Sequence, residues 1–278
     1  MKRFHIHLVS DATGETINVV ARACLVQFEG VDLAQHVWSM MRTRAHLEKT
    51  LAGIKAHPGV VLFTLVDKEL RHALQDGCED LGVPCIPVLD PVIAALGDYL
   101  SVESRNVPGG QHMMDAEYFA RIDAMKYVLN TDDGQATEQL DKADIIIVGV
   151  SRTSKTPTCI YLANRGIKAA NVPLVPGRPL PPNLTELTGP MVVGLTVDPN
   201  ILIQVRRNRL KMMHEKQDTD YTDPELVMAE VTAARRLYQQ QGWPILDVTR
   251  RSIEETAAAI IQLYTDRKKP QAKAAAKS

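Results

Sequence analysis

The fold of this chain is decided by residues 145–156, which read IIIVGVSRTSKT. Four consecutive apolar residues predict a strand that is buried on both faces, as in a parallel sheet covered by helices. Gly149 follows the strand and lets the chain turn without a Cβ penalty. A helix is predicted to begin near Lys155, and Pro157 suits its first turn because that N–H has no intrahelical partner. A strand, a loop and a helix in this order predict an α/β unit.

The loop resembles the phosphate-binding pattern GxxxxGK(S/T), with Ser154 at the place of the second glycine. Backbone N–H groups of such a loop can form an anion-binding nest, and the helix dipole adds partial positive charge at the same place. We expect Lys155 to reach phosphate oxygens and the Thr156 hydroxyl to bind Mg²⁺. The alternative is a plain strand-turn-helix capped by Ser151 or Thr153. The predicted nucleotide-binding residues are Gly149, Val150, Ser151, Arg152, Thr153, Ser154, Lys155 and Thr156.

A second apolar run, residues 191–197, ends in Asp198. An apolar strand that ends in a carboxylate has the form of a Walker B element, which holds Mg²⁺ directly or through water. The other interpretation is that Asp198 and Pro199 cap the next helix, and both roles are compatible. Asp198 is therefore a predicted metal ligand or base, with Thr156 as the other predicted metal ligand.

Residues 10–16, SDATGET, connect a predicted strand to a predicted helix and can also bind an anion. Capping of this helix by Thr13, with Thr16 at the third helical position, is an equally good interpretation. Asp11 stands at the carboxyl end of the strand, where α/β sheets place chemistry. It is therefore a further candidate catalytic residue.

Strands and helices alternate along the rest of the chain, which predicts an α/β protein. We place a domain boundary after residue 135. Residues 1–135 then form an N-terminal α/β domain, and residues 136–266 form a domain like those of P-loop kinases, with a mainly parallel sheet. The segment 267–278, RKKPQAKAAAKS, is basic and has no aromatic residue, so we expect a disordered tail.

The composition excludes several classes of protein. The formal net charge is −1, which argues against bulk binding to nucleic acid or to a membrane surface. No apolar run has the length of a membrane span, and the N-terminus lacks a signal-peptide core. Four cysteines without CxxC spacing are typical of reduced thiols in a cytoplasmic protein. The eight histidines include no HExxH and no companion cysteine cluster, so we expect no structural metal.

Two further groups of side chains are expected to be mainly solvent-exposed or structural. Arg206, Arg207, Arg209 and Lys211 are expected to form mainly a solvated helix face, with a phosphate clamp as the alternative. His36 and His112 are expected to be isolated structural histidines.

Residues 149–177, GVSRTSKTPTCIYLANRGIKAANVPLVPG, resemble the pyruvate, phosphate dikinase regulatory proteins. The stretches HLVSDATGET, YFARIDAMKYVLNTDDG, LTVDP and RRNRL resemble the same family, so the resemblance covers nearly the whole chain apart from the tail. A sister branch acts on phosphoenolpyruvate synthase and typically has Cys-Gly-Lys where this loop has Thr-Ser-Lys. With Ser154 in place of this glycine, the loop thus resembles that of the branch that acts on the dikinase.

The resemblance implies a bifunctional enzyme. It would transfer a phosphoryl group from ADP to a threonine near the catalytic histidine of the dikinase, which inactivates the dikinase. It would reverse this with inorganic phosphate and release pyrophosphate. In this interpretation residues 149–156 bind ADP, Lys155 neutralises the transferring group, Mg²⁺ assists, Asp11 activates the acceptor, and the protein is a possible homodimer.

Two other functions share the loop. An ATP-dependent kinase of a small metabolite would act without a protein substrate. A non-catalytic regulatory protein that senses ADP would bind nucleotide and a partner without phosphoryl transfer.

Overall fold

The structure is a computed structural model that describes residues 3–109, 116–215 and 219–275, with side chains described as far as residue 268. The chain divides into two compact units, Met1–Met113 and Met114–Ser278. Each unit contains a four-stranded sheet in which all paired strands are parallel. The predicted α/β fold is therefore confirmed.

The first unit has the strand order β2-β1-β3-β4. Strand β1 alternates between two apolar layers, because successive side chains of a strand point to opposite faces. Ile6 and Leu8 pack with Ile17 of the first helix, whereas Val9 joins the layer that includes Phe63. The elements are β1 (Arg3–Ser10), α1 (Glu15–Leu25), β2 (Asp32–Trp38), α2 (Arg44–Ala56), β3 (Val60–Thr64), α3 (Lys68–Asp80), β4 (Cys85–Pro87) and α4 (Asp90–Leu100).

His36 is not isolated, because it belongs to a histidine cluster formed by His5, His7, His36 and His57. The ring centroids of His7 and His36 lie 4.6 Å apart, and His5 Nδ1 lies 3.0 Å from His36 Nε2. Trp38 Nε1 donates to His7 Nδ1 at 3.1 Å, so the neutral His7 ring carries its proton on Nε2 and donates to the His57 carbonyl at 2.8 Å. Burial lowers the pKa of His7.

The second unit has the strand order β6-β5-β7-β8, with β5 and β7 in the centre. The elements are α5 (Ala116–Asn130), β5 (Ile145–Gly149), α6 (Lys155–Ala163), β6 (Ala169–Pro173), β7 (Met191–Thr196), α7 (Pro199–Met212), α8 (Pro224–Gln241), β8 (Ile245–Asp247) and α9 (Ile253–Ala275). Two short 3-10 helices, Asp132–Gly134 and Thr137–Lys142, lie between α5 and β5.

The central strands of the second unit are fully buried, which explains their continuous apolar runs. A Cβ added at Gly194 of β7 would lie 2.4 Å from the Tyr238 ring, so the ring can pack here only against a glycine. The Tyr238 hydroxyl donates to the carbonyl oxygen of Leu195 at 3.1 Å, which satisfies its buried polar end.

The division between the units falls earlier than the expected boundary after residue 135. Helix α5 belongs to the second unit because Ala124 and Val128 pack in one apolar layer with Ile145 and Leu162. Helix α9 continues to Ala275, through most of the segment for which disorder is expected. Alanine and lysine are strong helix formers and favour this continuation, whereas Pro270 in the same segment disfavours it. His112 lies outside the described residues.

None of the helices within the described ranges is long and apolar enough to cross a membrane.

Candidate active site

The loop after β5 lies where α/β sheets bind ligands. In the sheet, β5 lies between β6 and β7. The connection after β5 leads to β6 on one side, whereas the connection after β7 leads to β8 on the other side, so the two connections run in opposite directions. A crevice forms at such a reversal, outside the carboxyl ends of the strands. Residues 150–154 follow β5 at this edge, and Asp198 follows β7.

The loop is tightly wound around Gly149. A Cβ at this position would lie 2.8 Å from Thr153 Oγ1 and 3.3 Å from Lys155 Cδ, so a side chain would displace the loop. Arg152 and Ser154 both adopt the left-handed region, with φ of 71° and 59°. Ser154 therefore adopts the backbone conformation that favours glycine at this position of the pattern.

Lys155 is turned inward, below the loop. Its side chain is buried, with 6% of the residue exposed, and Nζ donates to the Val150 carbonyl at 2.9 Å. Burial lowers the pKa of Lys155 to about 8, and the charges of Asp133 and Asp132 oppose that shift. A buried ammonium group beneath a loop of backbone N–H groups is suited to a phosphate.

Helix α6 begins directly at Lys155, and its cap residue Ser154 makes no side-chain hydrogen bond to the helix. Thr153 Oγ1 donates to the Val150 carbonyl at 2.9 Å, so the alternative of a Thr153 cap is wrong. Ser151 Oγ contacts the Tyr221 hydroxyl at 3.0 Å. The first N–H groups of α6 thus keep their positive potential for an anion.

Thr156 is part of a polar network that the sequence analysis missed. Its hydroxyl donates to Asp132 Oδ1 at 2.8 Å. Asn171 Nδ2 lies 2.9 Å from Thr156 Oγ1, 2.7 Å from Asp132 Oδ1 and 3.2 Å from Asp133 Oδ1. The signal in the sequence was the pair of adjacent carboxylates, Asp132 and Asp133, in the segment after α5.

Arg206 corrects the expectation of a solvated basic face. Only 1% of Arg206 is exposed, and it pairs with Glu230 through two hydrogen bonds of 2.8 and 3.0 Å. It also donates to the carbonyl oxygens of Tyr221 and Ser151 at 3.1 and 3.3 Å. Arg206 therefore fixes the loop to α8. Arg207, Arg209 and Lys211 are exposed, as expected.

A cavity of about 810 Å³ opens beside Ser151. Its walls are mostly aliphatic and come from α8 and from the segment after β6, with Tyr221, Arg206 and Glu230 as polar members. The aliphatic wall includes Leu174, Val175, Leu226, Ala229, Ala233 and Leu237. A mainly apolar cleft with a few fixed polar groups is typical of a small-molecule site.

Asp198 is the cap of α7. Its Oδ1 accepts from the backbone N–H groups of Asn200 and Ile201 at 2.9 and 3.1 Å. The capping interpretation is therefore confirmed, while the metal role stays a prediction. Its own N–H donates to Thr249 Oγ1 at 2.8 Å, which fixes the turn after β7.

Asp11 lies in the first unit, whereas residues 149–156 and Asp198 belong to the second. It is buried, Oδ2 accepts from the Val66 N–H at 2.8 Å, and burial raises its pKa. It lines a small cavity of about 180 Å³ together with Ser10 and Thr64. Helix α1 begins after Gly14, with φ of 83°, so Thr13 is not its cap residue.

The amino-acid sequence of this chain is similar to those of known proteins. The family model described as Kinase/pyrophosphorylase matches residues 6–261. A protein of Paramagnetospirillum magneticum, named "Putative pyruvate, phosphate dikinase regulatory protein", is 58% identical over 264 residues, covering 95% of this chain and 85% of that protein. Proteins of the same name from Caulobacter vibrioides and Erythrobacter litoralis are 53% and 52% identical, covering 94% and 96% of this chain and 83% and 96% of theirs.

Proposed function

Because this chain belongs to the kinase/pyrophosphorylase family, we propose that it regulates pyruvate, phosphate dikinase by reversible phosphorylation of a threonine. In the forward reaction the threonine oxygen attacks the β-phosphorus of ADP, and the bond to the bridging oxygen breaks to release AMP. In the other direction inorganic phosphate attacks the phosphothreonine, which releases pyrophosphate and restores the hydroxyl.

The observation that carries the proposal is the buried Lys155 beneath the loop after β5. Phosphoryl transfer needs positioned cations and N–H donors more than a covalent catalyst, since the transferred group carries spread negative charge. Lys155, the loop N–H groups and the start of α6 supply them. The same cradle suits the β-phosphate of ADP and inorganic phosphate, so one site can serve both reactions.

The cavity beside Ser151 has the volume and the aliphatic walls to take the nucleoside part of ADP. Its position next to the phosphate loop supports a nucleotide rather than a free phosphate as the donor. Ala229 and Ala233 leave space in the α8 wall, and Ala233→Trp would fill part of it. We expect this variant to weaken ADP binding while phosphate binding remains.

Mg²⁺ is part of the proposal, because it neutralises phosphate charge and orients the phosphates in reactions of this kind. Thr156 and Asp198 remain proposed oxygen ligands. The cap of α7 uses Oδ1 of Asp198, so Oδ2 is the oxygen proposed for this role or for a base. Asp11 is proposed to activate the acceptor, and its raised pKa suits proton transfer.

The test is a phosphoryl-transfer assay with phosphohistidine-loaded pyruvate, phosphate dikinase. One reaction contains ADP labelled at its β-phosphate, and a parallel reaction contains ATP labelled at its γ-phosphate. We expect label on a dikinase threonine from ADP alone, and release of that label as pyrophosphate after phosphate is added. Label transferred only from ATP would contradict the proposal.

The same assay separates the two other functions. A kinase of a small metabolite would consume nucleotide in the absence of the dikinase. A non-catalytic sensor would bind ADP, measured by calorimetry, but would leave the dikinase unlabelled. Lys142→Met serves as a control for variants of the loop, because Lys142 is an exposed lysine of the same unit.

A further inference from the structure

Four oxygen-bearing side chains converge at the first turn of α6. Asp132 and Asp133 come from the 3-10 turn after α5, Thr156 comes from α6, and Asn171 comes from the middle of β6. Asn171 Nδ2 lies within 3.2 Å of an oxygen from each of the other three side chains. Three separate elements therefore bring these groups to one point.

The Asn171 amide is buried, with 2% of the residue exposed, and its Oδ1 has no hydrogen-bond partner among the described residues. Its two N–H groups face three acceptors, two of which are carboxylates. Asp132 receives only neutral donors here, from Thr156 and from Asn171. The two adjacent carboxylates bring negative charge to one point, and a bound cation would neutralise it.

The amide of Asn171 can serve such a cation directly. Its oxygen and nitrogen exchange places on a half-turn of the side-chain amide, and hydrogen bonding decides between the two positions. With a cation present, the half-turn would bring the orphaned Oδ1 to the carboxylates. The buried Oδ1 would then gain the cation as its partner, while Nδ2 would turn to the side on which Oδ1 now has none.

We propose that Asp132, Asp133, Asn171 and Thr156 form a site for a divalent cation of the Mg²⁺ type. All of the ligands are oxygens, as Mg²⁺ prefers, and two carboxylates balance its charge. The described ranges contain no group of three or more His, Cys, Asp or Glu side chains that could hold a metal ion. The proposed site has two carboxylates, and an amide and a hydroxyl supply its other protein oxygens. The remaining coordination positions belong to water and to a phosphate.

The position of this site gives the cation a role. Thr156 directly follows Lys155, and the two carboxylates act electrostatically on the Lys155 ammonium group. A cation here lies beside the phosphate loop, so we expect a bound nucleotide to strengthen cation binding. That role rests on the proposed function, whereas the existence of the cation site does not.

The experiment measures Mn²⁺ binding by electron paramagnetic resonance, from the loss of the free Mn²⁺ signal, without nucleotide and with ADP. We expect one Mn²⁺ per chain, displaced by Mg²⁺ and bound more tightly with ADP. Asp133→Asn should weaken Mn²⁺ binding at least about tenfold. Asp133 makes the longest of the three contacts to Asn171 and is exposed, so this variant should fold, as circular dichroism would verify.

Asp141→Asn is the matched control, because Asp141 is an exposed aspartate a short distance along the same chain segment. It should bind Mn²⁺ as the unaltered protein does. The proposal is overturned if no Mn²⁺ binds, with or without ADP, or if Asp133→Asn binds it as tightly as the unaltered protein does. Mn²⁺ binding without nucleotide does not depend on phosphoryl transfer. A failed transfer assay would therefore leave the cation site standing, and a failed Mn²⁺ titration would leave the proposed phosphoryl transfer standing.

Discussion

Replacing Lys155 by methionine should make the protein more stable at pH 7, although it removes the cation on which the proposed reaction depends. Burial lowers the pKa of Lys155 from 10.5 to about 8. A difference of this size corresponds to about 3 kcal/mol of unfavourable free energy for the charged lysine in the folded protein. Methionine has a similar shape and carries no charge.

The sign of the effect follows from proton binding. The unfolded chain keeps the proton on this lysine up to pH 10.5, whereas the folded chain releases it near pH 8. The stability of the unaltered protein therefore rises with pH between these values, and the full penalty applies below pH 8. The lost hydrogen bond from the charged ammonium group to the Val150 carbonyl costs about 1.5–3 kcal/mol, which leaves a net gain of at most about 1.5 kcal/mol for Lys155→Met at pH 7.

The assay is urea unfolding of the unaltered protein and of Lys155→Met at pH 7 and pH 10. Comparing the two proteins at each pH cancels the groups that titrate in both. The advantage of the variant should largely disappear at pH 10, and the exposed control Lys142→Met should show no such dependence. A variant that is less stable at pH 7, or whose advantage is equal at both pH values, would refute the reasoning.

Three further predictions concern packing and charge. Gly194→Ala places a Cβ against the Tyr238 ring and should lower the free energy of unfolding by about 1–3 kcal/mol in urea, and an unchanged value would contradict the packing. Arg206→Met leaves the largely buried Glu230 carboxylate without its partner and should cost about 3–5 kcal/mol, much of which Glu230→Met should restore in the double variant. Burial holds the pKa of His7 below 6.5, so the unfolded chain binds that proton at a higher pH than the folded chain does. The free energy of unfolding should therefore fall from pH 7 to pH 5. His7→Leu should flatten this fall, and an equal fall in both proteins would contradict its assignment to His7.

Local features of the site could be predicted from the sequence. The strand, the loop and the helix of residues 145–156 are encoded within one short stretch, and the structure has them in that order. The inward position of Lys155 follows from the same stretch, since a helix that begins at this residue directs its side chain back toward the loop. The cap at Asp198 was also predictable, because Asp followed by Pro is a local signal.

Groups that meet across distant parts of the chain could not be predicted in this way. Asp132, Thr156 and Asn171 come from three elements, and only the pairing of β6 with β5 brings Asn171 to the loop. Arg206 lies among other basic residues of a helix, and its partner Glu230 is on the next helix. No local pattern distinguishes one buried arginine from its exposed neighbours.

The most direct test of the central claim is transfer of label from ADP, labelled at its β-phosphate, to the dikinase by the unaltered protein and by Lys155→Met in parallel. We predict label on a dikinase threonine with the unaltered protein and none with the variant, although urea unfolding shows the variant to be folded and no less stable. Transfer by the variant at the rate of the unaltered protein would contradict the assignment of residues 149–156 as the site of phosphoryl transfer.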